Sequence, residues 1–191
     1  MQHALLETLD EAAYLEAERE AGVKHEYVAG EVFAMAGASK THGTLALNAA
    51  FALRAHLRGG PCRTWIADMK VRVAAVSAYY YPDVVVSCDA RDLAADAPQD
   101  YLEAPQLIVE VLSPATEVID RREKWLAYRR LASLQEYVLI DQARRWVEVY
   151  RRTPFGWTQD IYTDAEVVDL ASVGLALPMA ELYADSGVGT P

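Results

Sequence analysis

The chain reads as an α/β domain with a mixed central sheet, its core running helix, three strands, helix, strand, with a further helix and a hairpin in front. Three observations carry this reading. Capping patterns that open helices recur at Thr8-Leu9-Asp10-Glu11, at Ser39 and Thr41, and at Ser113-Pro114-Ala115-Thr116. Short runs rich in β-branched residues fall between them at 63–75, 80–88 and 106–112, and again at 136–141. Helical and strand patterns therefore alternate along the chain, as layered α/β folds require. At 191 residues and 52% hydrophobic content, one core over residues 1–185 is large enough to fold alone, with 186–191 as a disordered tail.

In order, the first helix should end near Gly22, and a hairpin turns at Ala29-Gly30. A second helix spans about His42 to Leu57 and closes at Gly59-Gly60-Pro61. The three strands follow, the last two separated by a polar loop from Asp89 to Asp100. A helix from Thr116 to about Leu131 leads to strands at 136–141, 145–151 and 157–162. Cys62 and Cys88 lie far apart in sequence without a CxxC or His-rich set, so they are expected to be reduced packing residues. No basic leader precedes an apolar segment, and Asn48, Arg54 and His56 interrupt the most apolar helix. A cytoplasmic protein without a membrane span is expected.

The formal charge of −10 opposes a nucleic-acid role, because such domains present a basic footprint. Its distribution softens this. Residues 121–152 carry nine basic and four acidic groups, net +5, while the remaining nine basic and 24 acidic residues carry net −15. A local basic strip could face phosphate, or Arg129-Arg130, Arg144-Arg145 and Arg151-Arg152 are ordinary solvated turns.

The chemistry concentrates between residues 81 and 124. Glu110 interrupts the apolar run Leu107-Ile108-Val109-Glu110-Val111-Leu112, and strand alternation puts it on a face with Ile108 and Leu112. A buried carboxylate requires a partner. Asp83, just after Pro82 at the mouth of the preceding strand, supplies a second acid, and the two could share a hard cation such as Mg²⁺. Lys124 lies ~10 Å along the next helix at ~1.5 Å per residue, which brings its ammonium level with Glu110 if that helix folds back over the sheet.

Tyr81-Pro82-Asp83, then LIVEVLSP at 107–114, DRREKWLAY at 120–128 and Glu136-Tyr137-Val138-Leu139-Ile140-Asp141, taken together, resemble the Uma-type restriction endonuclease family of the PD-(D/E)XK nuclease superfamily. Tyr27 to Val32, Met35 and His42 resemble that family's N-terminal region, and the likeness covers roughly 10–185. The resemblance implies a restriction-endonuclease-like core and hydrolysis of DNA with Mg²⁺, or Mn²⁺ in its place. It makes Asp83 and Glu110 the metal-holding acids. The superfamily lysine two residues after the second acid is replaced by Leu112, and Lys124 on the next helix becomes its substitute, as in members whose lysine has moved there. One chain would cut one strand; a homodimer would cut two.

Two auxiliary residues join this set. His42, at a helix start that favours its neutral form, could meet phosphate or water or could merely cap the helix. Glu31 is the acid available to stand in for one that the helix 42–57 lacks. Each residue also has an ordinary explanation: a structural Glu110–Lys124 pair, a Pro-Asp turn at Asp83, an exposed Asp120–Lys124 pair, a strand-edge charge at Glu31. Asp68 and Lys70 alternate as on any half-exposed strand, and Tyr79, Tyr80 and Tyr81 are expected to pack rather than stack on bases. The competing functional class is a nuclease fold kept as a binding module without turnover, favoured by the acidic charge and by Leu112.

Overall fold

The computed structural model describes residues 9–189 apart from Ala36, Ala115 and Ala165. Helix α1 (Glu11–Glu20) starts at Asp10, whose side chain accepts the Ala13 N–H, and leads into the hairpin of β1 (His25–Val28) and β2 (Glu31–Ala34). The hairpin turns at Ala29 and Gly30, both at positive φ, as its tight two-residue connection demands. Helix α2 (Lys40–His56) is capped by Ser39 and buries the stripe Leu45, Ala49, Ala50 and Leu53. Strands β3 (Arg63–Ile66), β4 (Lys70–Val73), β5 (Ala78–Tyr80) and β6 (Val84–Ser87) follow. The short helix α3 (Ala90–Leu93) and strand β7 (Tyr101–Leu102) precede β8 (Pro105–Leu112).

A π-helical segment, Ile119–Lys124, runs directly into α4 (Trp125–Tyr128). Strands β9 (Glu136–Asp141), β10 (Trp146–Thr153) and β11 (Gly156–Thr163) come next, then the hairpin of β12 (Val167–Leu170) and β13 (Leu175–Pro178), and finally α5 (Met179–Leu182). Among the described residues no helix is long and apolar enough to cross a membrane.

Two sheets form the body. One runs β11-β10-β9-β8-β6-β3 and is antiparallel except for the parallel pair β8 and β9; the other runs β2-β1-β5-β4-β7. Leu107, Val109 and Val111 of β8 pack towards α2 in one cluster, and Ile108 and Leu112 pack towards β4, β5 and α4 in another. The alternation read from the sequence therefore holds. Tyr14, Tyr27 and Tyr79 form a third cluster under α1. Tyr79, Tyr80 and Tyr81 are all buried packing residues.

The single strands expected at 63–75 and 80–88 are each divided between the two sheets. Ala67 at positive φ breaks the first, so β3 joins the larger sheet and β4 the smaller. Tyr81-Pro82-Asp83 breaks the second, since Pro82 has no N–H with which to continue a ladder. The two crossings touch, Ala67 N–H donating to Asp83 O at 3.0 Å. Asp83 thus sits where the chain steps from one sheet to the other.

Two further expectations are corrected. Cys62 and Cys88 form a disulfide: they flank the antiparallel pair β3 and β6, where Arg63 faces Ser87, so sheet pairing brings together residues 26 apart in sequence. The tail expected at 186–191 begins later, because Ser186 is buried with its Oγ donating to Tyr183 O, and Val188 packs on the core. Thr190 and Pro191 lie outside the described residues.

Candidate active site

The site forms where the smaller sheet and the π-helical segment cover the Ile108–Glu110–Leu112 face of β8. Lys124 is its centre. Its Nζ lies 2.9 Å from Glu26 Oε1, 3.2 Å from Glu110 Oε1 and 3.3 Å from Asp120 Oδ1. Lys124 and Glu110 are 5% and 3% exposed, so these charges have almost no water to screen them. The Tyr128 hydroxyl donates to Glu110 Oε1 at 3.3 Å, and the Tyr81 N–H donates to Glu26 Oε1 at 3.2 Å.

Local structure explains the convergence. Alternation on β1 sends Tyr27 to the cluster under α1, while Val28 packs in the cluster that faces the larger sheet, and Glu26 shares Val28's side. Beyond β8, Ser113 Oγ accepts the Thr116 N–H and opens the turn into the π-helical segment. Tyr137 of β9 then ties that segment down by donating to Asp120 O at 3.0 Å. Asp120 and Lys124, four apart, face the sheet together instead of forming an exposed pair.

Asp83 stands beside this group. Its Oδ2 accepts the Val111 N–H at 2.7 Å and lies 3.2 Å from His42 Nε2. The hydrogen bond to Asp83 raises the His42 pKa against the opposing effect of burial. A carboxylate in direct contact thus acts on this ring against the partial charge of the helix terminus.

Burial pushes the Glu110 carboxyl well up, Lys124 pulling the other way and Asp120, Asp83 and Glu26 adding to the rise. Burial alone would lower the Lys124 ammonium, but Glu110, Glu26 and Asp120 more than offset it and hold it well above the ordinary value. Asp120 is likewise raised, chiefly by burial. Its Oδ1 is buried without a hydrogen bond of good geometry, although Lys124 Nζ is near.

The expected residues separate cleanly. Asp83, Glu110, Lys124 and His42 come together; Glu31 does not. It lies on the exposed outer strand β2, opposite Val28, and the acid that enters the site from this hairpin is Glu26. Strand parity does not separate the two, since Glu31 pairs with Val28 and shares its face, as Glu26 does; the inner position of β1, between β2 and β5, does. Asp68 is an exposed partner of Lys24, and buried Lys70 donates to the Tyr81 hydroxyl at 3.2 Å. Most of the basic run 121–152 is used internally. Arg121 pairs with Glu148 and Glu117, Arg144 with Asp141, and Arg151 with Glu136, while Arg152 donates to the carbonyls of Leu134, Leu131 and Arg129.

The donor set fits a hard cation in part. Among the described residues the contacts above use only Asp83 Oδ2 and Glu110 Oε1, and leave Asp83 Oδ1 and Glu110 Oε2 outside them. No group of three or more His, Cys, Asp or Glu among them stands in a metal-binding arrangement. Two protein carboxylates supplemented by water and substrate oxygens is the pattern that Mg²⁺ accepts.

Fold and site together define a restriction-endonuclease-like α/β protein. A crystal structure from Anabaena variabilis ATCC 29413, described as a "putative nuclease belonging to DUF820", matches with a TM-score of 0.77 at 17% identity, covering 92% of this chain and 98% of that one. Residues 11–180 match the Uma2 family, described as "Putative restriction endonuclease", and the chain belongs to that family. Two relatives from Synechocystis sp. (strain ATCC 27184 / PCC 6803 / Kazusa) are similar along most of their length. "Uncharacterized protein slr1290" is 33% identical over 171 residues, 89% of this chain and 88% of its own. "Uncharacterized protein sll1609" is 35% identical over 149 residues, 78% and 84% respectively.

Proposed function

We propose that this chain is a Mg²⁺-dependent endonuclease that hydrolyses phosphodiester bonds of DNA, with Asp83, Glu110 and Lys124 as its catalytic residues. One observation carries the reading: the carboxylates of Glu110, Glu26 and Asp120 converge on a single buried ammonium, with Asp83 just before the adjoining strand and bonded to the Val111 N–H. The cluster has more acids than cations to balance them, which a divalent ion relieves.

Asp83 and Glu110 would hold that ion, which when bound polarises the scissile phosphate and makes a bound water more acidic. Lys124 orients the attacking water or stabilises negative charge gathering on phosphorus as a P–O bond breaks. Glu26 and Asp120 fix its ammonium, and Tyr128 fixes Glu110. His42 holds Asp83 at the mouth of the site. Half-buried Lys24, which donates to Ala67 O, and exposed Lys40, two residues before His42, with Arg122 on the π-helical segment, are cations able to meet a phosphate backbone.

The test is cleavage of supercoiled plasmid with Mg²⁺ or Mn²⁺. Glu110→Gln should abolish metal-stimulated nicking while leaving the circular-dichroism spectrum and melting cooperativity intact. Unchanged nicking by a folded Glu110→Gln protein overturns the assignment.

The second reading, a binding module on the same fold without turnover, is favoured by Leu112 at the superfamily lysine position and by the internal use of the basic run. Metal titration separates the two. A rise in Tm with Mg²⁺ or Mn²⁺ supports the enzyme, because only a folded site gains RT ln(1 + [L]/Kd); no rise across millimolar concentrations supports the module.

A further inference from the structure

Leu47 and Phe51 stand four residues apart on α2, outside its buried stripe, and are 64% and 72% exposed. Ile66, at the end of β3, is 53% exposed. With Trp65 and Met69 they line a largely apolar cleft of about 520 Å³ between α2 and β3. Scattered exposed apolar groups are ordinary, whereas a contiguous set marks an interaction surface. β3 is also the last strand of the six-stranded sheet, so its outer edge is not paired within that sheet.

We propose that this face is the two-fold interface between two copies of the chain, α2 and β3 of each packing on the same elements of the other. The two charged residues lining the cleft favour a second copy over a different partner. Arg54 lies on the helical wall and Asp68 on the turn after β3. A patch with one cation and one anion complements itself under two-fold rotation, which sets each Arg54 against the opposite Asp68. Asp68 meets Lys24 through Oδ1, leaving Oδ2 for this contact. Copies that each carry −10 repel across most of their surfaces, and this nearly neutral apolar face is where they can approach. A basic partner would be drawn to the acidic surfaces instead.

The interface borders both sites. His42 begins the same helix that carries Leu47 and Phe51, and Ala67, which follows Ile66, donates to Asp83 O. Association and turnover are separable, so the dimer stands whether or not the site cleaves DNA.

Sedimentation velocity on the full chain tests this. The wild type should sediment at twice the 21.1 kDa chain mass, and Phe51→Glu as a monomer. Phe155→Glu, at a fully exposed position between β10 and β11, should remain dimeric. Arg54→Asp and Asp68→Arg should each weaken association at least about tenfold, and the two combined should restore it. A wild type that stays monomeric at about 100 µM, well above the micromolar affinity of a weak standard-size interface, overturns the proposal. So does a dimer indifferent to Phe51→Glu, or a charge exchange that restores nothing; the exchange decides the matter if Phe51→Glu does not fold.

Discussion

Replacing Lys124 with Met keeps the length and volume of the side chain and removes only the charge, so it isolates the electrostatics of the cluster. In the native protein three carboxylates lie within 3.3 Å of that ammonium, all on residues shielded from water. Breaking a buried pair by deleting one partner costs about 3–5 kcal/mol, mostly from the uncompensated charge left behind. For a domain of this size about 1 kcal/mol moves Tm by 2–4 °C, so Lys124→Met should melt about 6–20 °C below wild type. The assay is thermal unfolding followed by circular dichroism at pH 7.5 in EDTA, which keeps divalent ions from masking the loss. Adding Glu110→Gln to Lys124→Met removes one stranded charge and should recover about 1–3 kcal/mol, a coupling expected only of groups in contact. A loss below about 1 kcal/mol for the single variant, or strict additivity in the pair, would refute the buried cluster and with it the charge argument for a cation.

Other consequences are accessible to simpler measurements. Glu26→Gln should weaken Mg²⁺ binding by calorimetry less than Glu110→Gln does, because Glu26 acts through Lys124; equal losses would make Glu26 a direct ligand. Reduction, or Cys62→Ser with Cys88→Ser, should cost about 3.5 kcal/mol in urea unfolding, the value for a cross-link closing a loop of this length, and thiol titration of the native unreduced protein should find none. Glu136→Ala should cost about 3 kcal/mol, since this wholly buried acid accepts bonds from Arg151 and from the Ala171 and Ser172 N–H groups. Asp89 should titrate by NMR near 2: the Arg91 guanidinium, then the Arg91 N–H, hold its carboxyl down. A group lowered in the folded state stabilises above its unfolded value and loses that contribution as pH falls through the folded one, and Arg91→Ala should raise the midpoint towards 3.8.

Much of this site was legible because the signals were local. Asp10, Ser39 and Ser113 announce their helices by capping chemistry, and Glu110 stands out by parity on an apolar strand. What escaped needed pairing information. Nothing in the run 63–75 says that its halves belong to different sheets; that follows from Ala67 at positive φ and from partners up to about 30 residues away. Glu31 and Glu26 are both acids of one hairpin, and only the docking of β1 against β5 decides which of them faces the larger sheet. The Cys62–Cys88 bond was hidden for the same reason, since spacing along the chain carries no record of strand pairing. β12 and β13 are short and partly exposed, and they are placed by long-range contacts: Val168, Leu170 and Leu177 pack in the main core, and Glu136 of another sheet holds Ala171 and Ser172.

The place of the lysine follows from the packing around it. Leu112 lies on the same face of β8 as Glu110, but it is buried among Ile108, Tyr128 and Tyr137. An ammonium there would sit in an apolar cluster, away from the Glu26 and Asp120 carboxylates that meet Lys124, a burial that is less favourable with fewer partners. Position 124 differs because three acids reach it from separate directions: Glu26 from the smaller sheet, Glu110 from the larger, and Asp120 from its own segment. Moving the cation to the π-helical segment therefore requires Glu26 and Asp120 as well. Exchanging the two residues, Leu112→Lys with Lys124→Leu, should not restore what Lys124→Leu loses, because the ammonium would return without its acids. A plasmid-nicking activity that survives the exchange would show that proximity to Glu110 alone is enough.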